Sequence, residues 1–397
     1  MALFIIRFTP RIREVCEKTR RVMLPPSRLS SYESWGISMS GQAGRVTLKI
    51  IAAEAGVSIG TAARALNNRD GINSETRRKI LEIAENLDYH PNKLAGALAR
   101  KKPLHLGIVY PEVSRDFYSL IDNGVTDAAY EIEDFGVTVE KIRYEAQIPE
   151  IEYAKLNSLD VSKYDGLAIN SAGPAIESLI DRFTDSGLPV ITFNTDAANS
   201  TRLFYIGSNS RQSGMMGAEM LSMLMGHSGK VAVLGDFTRA TPFIERFSGF
   251  CEYARINSPD LHIQPCAHAS SDSGNMAHRL VELIDLIPDI SGVFCTGYTS
   301  TIGALEALRS LGRMDIRLVG YDVTAKTAEA MQENRINAIL FQDPYQQGYK
   351  AVQLLSRHLL EGYMPPKTCM YIENSIVLKS NLGSYLRDTG VEPGTVR

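Results

Sequence analysis

Apolar residues repeat along this chain with two different periods. Between Val46 and Asn67 the spacing is helical: Leu48 to Ala55 forms an apolar-periodic run that stops at Gly56, and Ser58 supplies an oxygen suited to cap a second helix. Ile51, Ala52, Ala55, Val57, Ala62 and Leu66 are small or apolar enough to pack this pair, and the glycine permits a tight reversal. Asn73 is placed to cap a third helix, on which Ile80, Ile83, Ala84 and Leu87 share one stripe. Pro91 restrains His90 from helix and ends the unit. The basic run 92–102 that follows, closed by Pro103, is too short to hold as a helix alone and would fold only against a partner or a nucleic acid.

From Leu104 the pattern changes. Strand-like runs at 106–110, 137–141, 166–170, 189–193, 203–206, 230–234, 292–295, 317–321 and 338–341 alternate with helical periodicity at 118–135, 175–186, 214–225, 245–256, 275–286, 302–311, 327–334 and 346–360. Such alternation predicts parallel sheets covered by helices on both faces. The expected fold is multidomain: an all-α helix-turn-helix head plus an α/β effector domain of two doubly wound parallel-sheet subdomains, with ligand in the crevice where strand ends meet.

The boundaries expected are a disordered extension over 1–44, the head over 45–91, a hinge helix or linker over 92–102, an effector domain over 103–386 and a tail over 387–397. Within the effector domain the subdomains are expected near 103–207 plus 343–372 and 208–341 plus 374–386. Crossings between them are placed at Gly207-Ser208-Asn209, at Gln342-Asp343 and near Glu373. Met39, just ahead of the head, is an alternative start of translation.

Composition narrows the classes. No apolar run approaches the roughly 20 residues needed to span a bilayer, and the opening Ala2 to Ile6 run is too short for a secretory signal, so no membrane partner and a cytoplasmic location are expected. Five scattered cysteines, Cys16, Cys251, Cys266, Cys295 and Cys369, lack the close pairs of a disulfide framework or metal site. No metal site and no cofactor are expected. Net charge is −3, but residues 45–102 hold 11 Lys/Arg against 6 Asp/Glu while residues 103–397 hold 24 against 36. A basic head on an acidic body suits a phosphate-binding module joined to a different domain.

The head residues Val46-Thr47-Leu48, Ala52, Glu54-Ala55-Gly56-Val57-Ser58, Thr61, Arg64, Leu66-Asn67, Thr76-Arg77, Ala84, Leu87, Tyr89 and Pro91-Asn92, with the strand-helix body behind them, resemble the lactose-repressor (LacI) family of bacterial transcription regulators over residues 46 to about 385. The resemblance implies that Ile59, Gly60 and Arg64 face bases in the major groove, that Thr61 holds phosphate with nearby backbone amides, and that Thr47, Ser58, Asn67, Asn92 and Lys93 complete the DNA-binding set. An arginine such as Arg64 can donate two hydrogen bonds to guanine, worth about 1–3 kcal/mol of discrimination. The resemblance also makes 92–99 a hinge helix that folds when two subunits lie side by side in the minor groove, with Leu98 wedged between base steps. Ile50 stands where the family usually has Asp, Ala63 where it usually has Ser, and Gly96 and Ala97 replace a more usual Arg and Ser.

In the body, the sugar-binding members offer the nearest comparison. Phe117 and Tyr118 after the first strand are placed to stack on a sugar ring; Asn170, Asn194, Arg246, Asp322 and Gln342 are placed to bind hydroxyls. Sugars need this mixture because each hydroxyl both donates and accepts while the C–H faces are apolar. Taken singly, Asp322 also suits a helix cap and Arg246 a structural ion pair. Their shared placement at strand ends favours a site. Gly297 and Tyr298 replace a common Asn-Asp, and Thr195-Asp196 follow Asn194 where Arg is frequent.

These expectations converge on a homodimeric, or alternatively tetrameric, regulator that binds a double-stranded DNA operator, acts as a repressor and answers to a small sugar-like or polyol effector. The alternatives are a purine-responsive corepressor type, a sugar-transport receptor and an enzyme. The chain shows no Gly-rich phosphate loop, Gly-x-Ser-x-Gly elbow or metal-ligand cluster. If Leu98 is a wedge, Leu98→Ala weakens operator binding well beyond nonspecific binding in mobility-shift titrations; equal loss of both would reject that role.

Overall fold

The computed structural model describes residues 48–66, 71–87, 103–113, 115–145, 148–171, 176–236, 241–267 and 272–386. The expected extension, hinge and tail, and with them Thr47, Asn67, Asn92, Lys93 and Leu98, lie outside the described residues.

Three short helices form the head: α1 (Leu48–Ala55), α2 (Ile59–Leu66) and α3 (Ser74–Asn86). Gly56 at φ +70° makes the reversal after α1, and the Val57 amide closes it onto the Ala52 carbonyl at 3.0 Å. Ser58 Oγ accepts from the Thr61 amide at 3.1 Å, and Asn73 Oδ1 accepts from Glu75 at 2.8 Å, so both expected caps are present. Ile51, Ala55, Ala65, Ile80 and Ala84 form the small core, with Ile83 and Leu87 against its edge.

The body has two six-stranded sheets among the described residues. The first is built from β1 (Leu104–Pro111), α4 (Arg115–Glu133), β2 (Val137–Tyr144), α5 (Pro149–Asn157), β3 (Gly166–Ile169), α6 (Glu177–Asp185), β4 (Val190–Phe193) and β5 (Tyr205–Ser208). The second follows with α7 (Ser210–Leu224), β6 (Gly229–Gly235), α8 (Thr241–Asn257), β7 (Leu261–Ala267), α9 (Ser273–Leu286), β8 (Ile290–Cys295), α10 (Tyr298–Leu311), β9 (Arg317–Tyr321), α11 (Ala325–Gln332) and β10 (Ala338–Phe341). Helix α12 (Pro344–Glu361) returns to the first sheet, β11 (Cys369–Ile372) joins its edge, and β12 (Ser375–Val377) and α13 (Leu382–Leu386) end on the second.

Strand orders are β2-β1-β3-β4-β5-β11 and β7-β6-β8-β9-β10-β12, parallel throughout except β10 with β12. Both lobes therefore carry the doubly wound order whose ligand crevice lies at the carboxyl ends of the strands, where the winding reverses. The chain passes between sheets at Asn209, at Gln342-Asp343 and at Glu373-Asn374. Ser208 Oγ donates to Asn374 Oδ1 at 2.8 Å, which ties the first and third crossings together.

Strand alternation distributes the cores. Leu106, Ile108 and Tyr110 of β1 face α4 and α12, whereas Val109 faces α5 and α6. In the second lobe Ala232 and Leu234 face α9 and α10, while Val231 and Val233 face α7 and α8.

Several elements escaped the periodicity reading, the five-residue α13 among them. Strand β7 contains Pro265, which argues against a central strand but is tolerated here because β7 is an edge. Strands β11 and β12 are also edges and only four and three residues long. Helix α5 buries Glu152 and Leu156 while Ile151 and Tyr153 face outward, so it shows no apolar stripe.

Reciprocal glycines bring two helix pairs close. A Cβ on Gly124 of α4 would stand 2.1 Å from the Tyr345 carbonyl oxygen of α12, and one on Gly348 would stand 2.3 Å from that of Ile121. Gly214 of α7 and Gly249 of α8 each leave room for a backbone oxygen only 2.0 Å from where a Cβ would be, those of Arg246 and Arg211. Gly249→Ala must push α8 from α7 and is expected to lower stability by about 1–3 kcal/mol in urea denaturation. Gly383→Ala, with nothing within 4 Å, stays near wild type.

Candidate functional site: an exposed recognition helix and an interlobe cleft

Helix α2 buries Ala62 and Ala65 and turns Ile59, Gly60 and Arg64 outward. Ser58 is exposed beside them, its hydroxyl 2.9 Å from that of the half-buried Thr61. The bare surface of Gly60 lies under Arg64, whose Nη2 would be 3.9 Å from a Cβ there. Of the ten DNA-binding candidates, the five described ones, Ser58, Ile59, Gly60, Thr61 and Arg64, thus fall on one short stretch at and after the turn.

The second site is a cleft between the lobes of about 540 Å³, part of it continuous with solvent. Phe117, Tyr118, Asn194, Arg246, Asp322 and Gln342 all line it. The first lobe contributes Phe117 and Tyr118 from the first turn of α4, after β1, and Asn194 from the end of β4. The second contributes Arg246 from α8 and Asp322 from the end of β9, with Gln342 in the crossing after β10. The rings of Phe117 and Tyr118 meet edge to face, 5.0 Å between centroids.

Backbone conformation delivers several of these groups. Asn194, Asp322 and Asp343 lie just beyond β4, β9 and β10 with φ of +60°, +63° and +50°. This left-handed region is uncommon for residues with a Cβ and best tolerated by Asn and Asp. It turns the chain sharply at the strand end. Thr324, not Asp322, caps α11, so the Asp322 carboxyl is not spent on the helix.

A buried hydrogen-bond chain joins the set. Arg246 Nη1 donates to the Thr296 carbonyl at 2.7 Å and Nη2 to Gln342 Oε1 at 2.8 Å. Gln342 Nε2 donates to both Asp322 oxygens at 3.1 and 3.2 Å. Gln347 of α12 donates to the Gln342 carbonyl and accepts from Asn194 Nδ2, both at 2.8 Å. Asn170 stands behind the lining, donating to Asn194 Oδ1 at 3.2 Å and to the Tyr118 hydroxyl at 3.4 Å. The guanidinium of Arg246 lies 4.2 Å from the Tyr321 ring centroid and 5.7 Å from that of Phe243. Its buried Nε has no hydrogen-bond partner among the described residues.

Gln347, Pro242, Phe243 and Thr299 were not among the candidates. Gln347 was the most legible of them, a polar side chain within the buried α12 stripe of Gly348, Ala351, Val352 and Leu355. Pro242, Phe243 and Thr299 sit in first turns of α8 and α10, where strand and helix periodicity carry no signal.

An exposed helix-turn-helix head preceding two doubly wound lobes around a polar and aromatic cleft is the architecture of a DNA-binding regulator with a body of the binding-protein type. Residues 47–92 match the lacI family of bacterial regulatory proteins, and residues 106–362 match the periplasmic binding protein domain. The chain belongs to the LacI family, with a body of the periplasmic-binding-protein class, and is a DNA-binding transcription regulator. It is 27% identical to the probable HTH-type transcriptional repressor ExuR of Bacillus subtilis, over 70% of this chain and 81% of that one. It is 30% identical to catabolite control protein A of Staphylococcus aureus, over 39% of this chain and 46% of that one, so this match spans about half of the relative. The fold is shared with GanP, a glucose-galactose binding protein from Geobacillus stearothermophilus, at a TM-score of 0.65 and 23% identity, covering 71% of this chain and 99% of GanP. Among the described residues no helix is long and apolar enough to cross a membrane, and no group of three or more His, Cys, Asp or Glu side chains is arranged to hold a metal.

Burial pushes the Asp322 carboxyl from 3.8 up to about 7, against the opposing pull of Arg246 and the Gln342 amide. A carboxyl whose pKa is raised by folding holds its proton more tightly in the folded chain. Its contribution to stability is full below about pH 4 and is lost as pH rises through about 7. Asp322→Asn removes that loss: relative to wild type, the variant gains on the order of 1–4 kcal/mol between pH 4 and pH 8 in urea melts. A constant difference across this range would contradict the burial effect.

Proposed function

We propose that this regulator is a repressor, and that a small sugar or polyol bound in the cleft sets its hold on a double-stranded operator. The observation that carries this reading is the cleft chemistry. Arg246, Asp322, Gln342 and Asn194 offer donors and acceptors within one buried network, beside the aromatic faces of Phe117, Tyr118 and Phe243. A polyhydroxylated ring satisfies both kinds of wall at once. An analogue lacking a hydroxyl would leave a buried partner unpaired, which is the basis of strong discrimination. The repressor named ExuR and the sugar-binding GanP support the two halves of the reading.

On the DNA side, Arg64 reads a base by bidentate donation, Ile59 offers apolar contact to a thymine methyl, and Ser58 and Thr61 serve phosphate. The remaining DNA-binding candidates, Thr47, Asn67, Asn92, Lys93 and Leu98, extend this surface towards a hinge over 92–102. The active form is a homodimer that places two heads on two half-sites. Lobe closure about the three crossings moves the first lobe, which bears the hinge, and changes how readily paired hinge segments order on DNA. The effector shifts that equilibrium only by its differential affinity for the two arrangements.

A thermal-shift panel of sugars, polyols and purines on the full chain, followed by operator titrations with and without the stabilising compound, tests this. A sugar or polyol hit that Arg246→Met loses by tenfold or more, with a change in operator affinity at saturation, is the expected result. A purine as the only hit would make the protein a corepressor type. Operator affinity unchanged by a saturating ligand would defeat the switch.

A further inference from the structure

The residue before the two cleft aromatics reaches across the mouth of the cleft. Asp116, in the first turn of α4 on the first lobe, accepts a hydrogen bond from the hydroxyl of Tyr298, the first residue of α10 on the second lobe. The same carboxylate oxygen lies 3.2 Å from Lys326 Nζ in the first turn of α11, also on the second lobe. The ring of Tyr298 packs against the hydrophobic core of the first lobe, the cluster that contains Phe117 and Tyr118. One side chain of the second lobe is thus bound by the first through both its ring and its hydroxyl.

Local packing aims these groups. A Cβ on Gly297, which precedes Tyr298, would come within 2.8 Å of the Phe243 ring, so the start of α10 is pressed against the start of α8. Asp116 is held ionised: the Tyr298 hydroxyl first, then Lys326, keep its carboxyl below the ordinary carboxylate value. The bridge spans elements that the strand order assigns to different sheets.

We propose that Asp116, Tyr298 and Lys326 form an interlobe strap that favours the closed arrangement of the lobes whether or not a ligand fills the cleft. Every group in it belongs to the chain, so closure draws on contacts that no effector supplies. The Lys326 arm is exposed and screened by solvent, so it contributes least; the Tyr298 ring and hydroxyl contribute most. A pre-biased closed state raises the apparent affinity of a ligand that selects it. It also narrows the range over which such a ligand can move the equilibrium.

Pulsed electron spin resonance on the full chain, dialysed free of small molecules, tests the strap. Spin-labelled noncanonical amino acids at the exposed positions 133 and 286, near the far ends of α4 and α9, report the distance between lobes. Wild type is expected to concentrate at one short distance. Asp116→Ala raises the open-to-closed ratio by about three- to tenfold, Tyr298→Phe by less than Tyr298→Ala, and Lys326→Ala by no more than about threefold. Asp116→Asn takes the place of the alanine variant if that chain loses its helical circular dichroism. A wild-type distribution that is already open, or one that Asp116 substitution leaves unchanged, overturns the proposal.

Discussion

The buried guanidinium of Arg246 is the constraint around which the body is arranged. A charge withdrawn from water in this way is costly unless most of its donors are met, as both terminal nitrogens of Arg246 are, and breaking one partner of such a set typically costs about 3–5 kcal/mol. Here the partners come from three places: the Thr296 carbonyl after β8, the Gln342 amide in a crossing between lobes, and the Tyr321 ring of β9. Meeting Arg246 therefore fixes the path of a crossing segment. Gln342 then passes the order on, through its amide to Asp322 and through its carbonyl to Gln347 and Asn194 of the first lobe. A single hydrogen-bond chain runs from the second lobe through a crossing segment into the first.

That arrangement explains why strain gathers where it does. Asn194, Asp322 and Asp343 adopt left-handed backbone at strand ends, and Asn194 and Asp322 are themselves members of the chain that rewards the conformation. The glycine contacts serve the same end at longer range, since the close approach at Gly214 and Gly249 seats α8 and with it Arg246. Packing, backbone conformation and site chemistry are in this sense one arrangement.

Much of the architecture was legible because the chain alternates between two simple periods, and strand ends in a doubly wound sheet are where ligands bind. Phe117, Tyr118, Asn194, Asp322 and Gln342 could be picked out by that rule together with the family resemblance, and Arg246, which lies within α8, by the resemblance; the structure gathers them on one cleft. Asn170 obeys the same rule yet lies behind the lining, because the rule locates a strand end and says nothing of which layer its side chain joins. Phe243 and Gln347 were hidden for a different reason. Their roles depend on which separate segments meet them, the start of α10 for Phe243 and the end of β4 and a crossing for Gln347, and the periodicity of one segment holds no record of its neighbour in space. Edge strands β7, β11 and β12 were hidden by shortness or by a proline that only an edge can carry.

The three crossings have a consequence for how the molecule is made. Neither lobe is a continuous stretch of chain: the first lobe takes α12 and β11 from residues that follow nearly all of the second. A ribosome that has finished β5 has produced a sheet lacking both the helix that covers Leu106, Ile108 and Ile206 and its outer strand. The part of that apolar face that α4 does not cover stays exposed until the second lobe has been synthesised. The first lobe to be translated is thus completed late, and the interval between the two events is a period of exposure in which chaperones, rather than the native contacts, must keep the nascent sheet from aggregating.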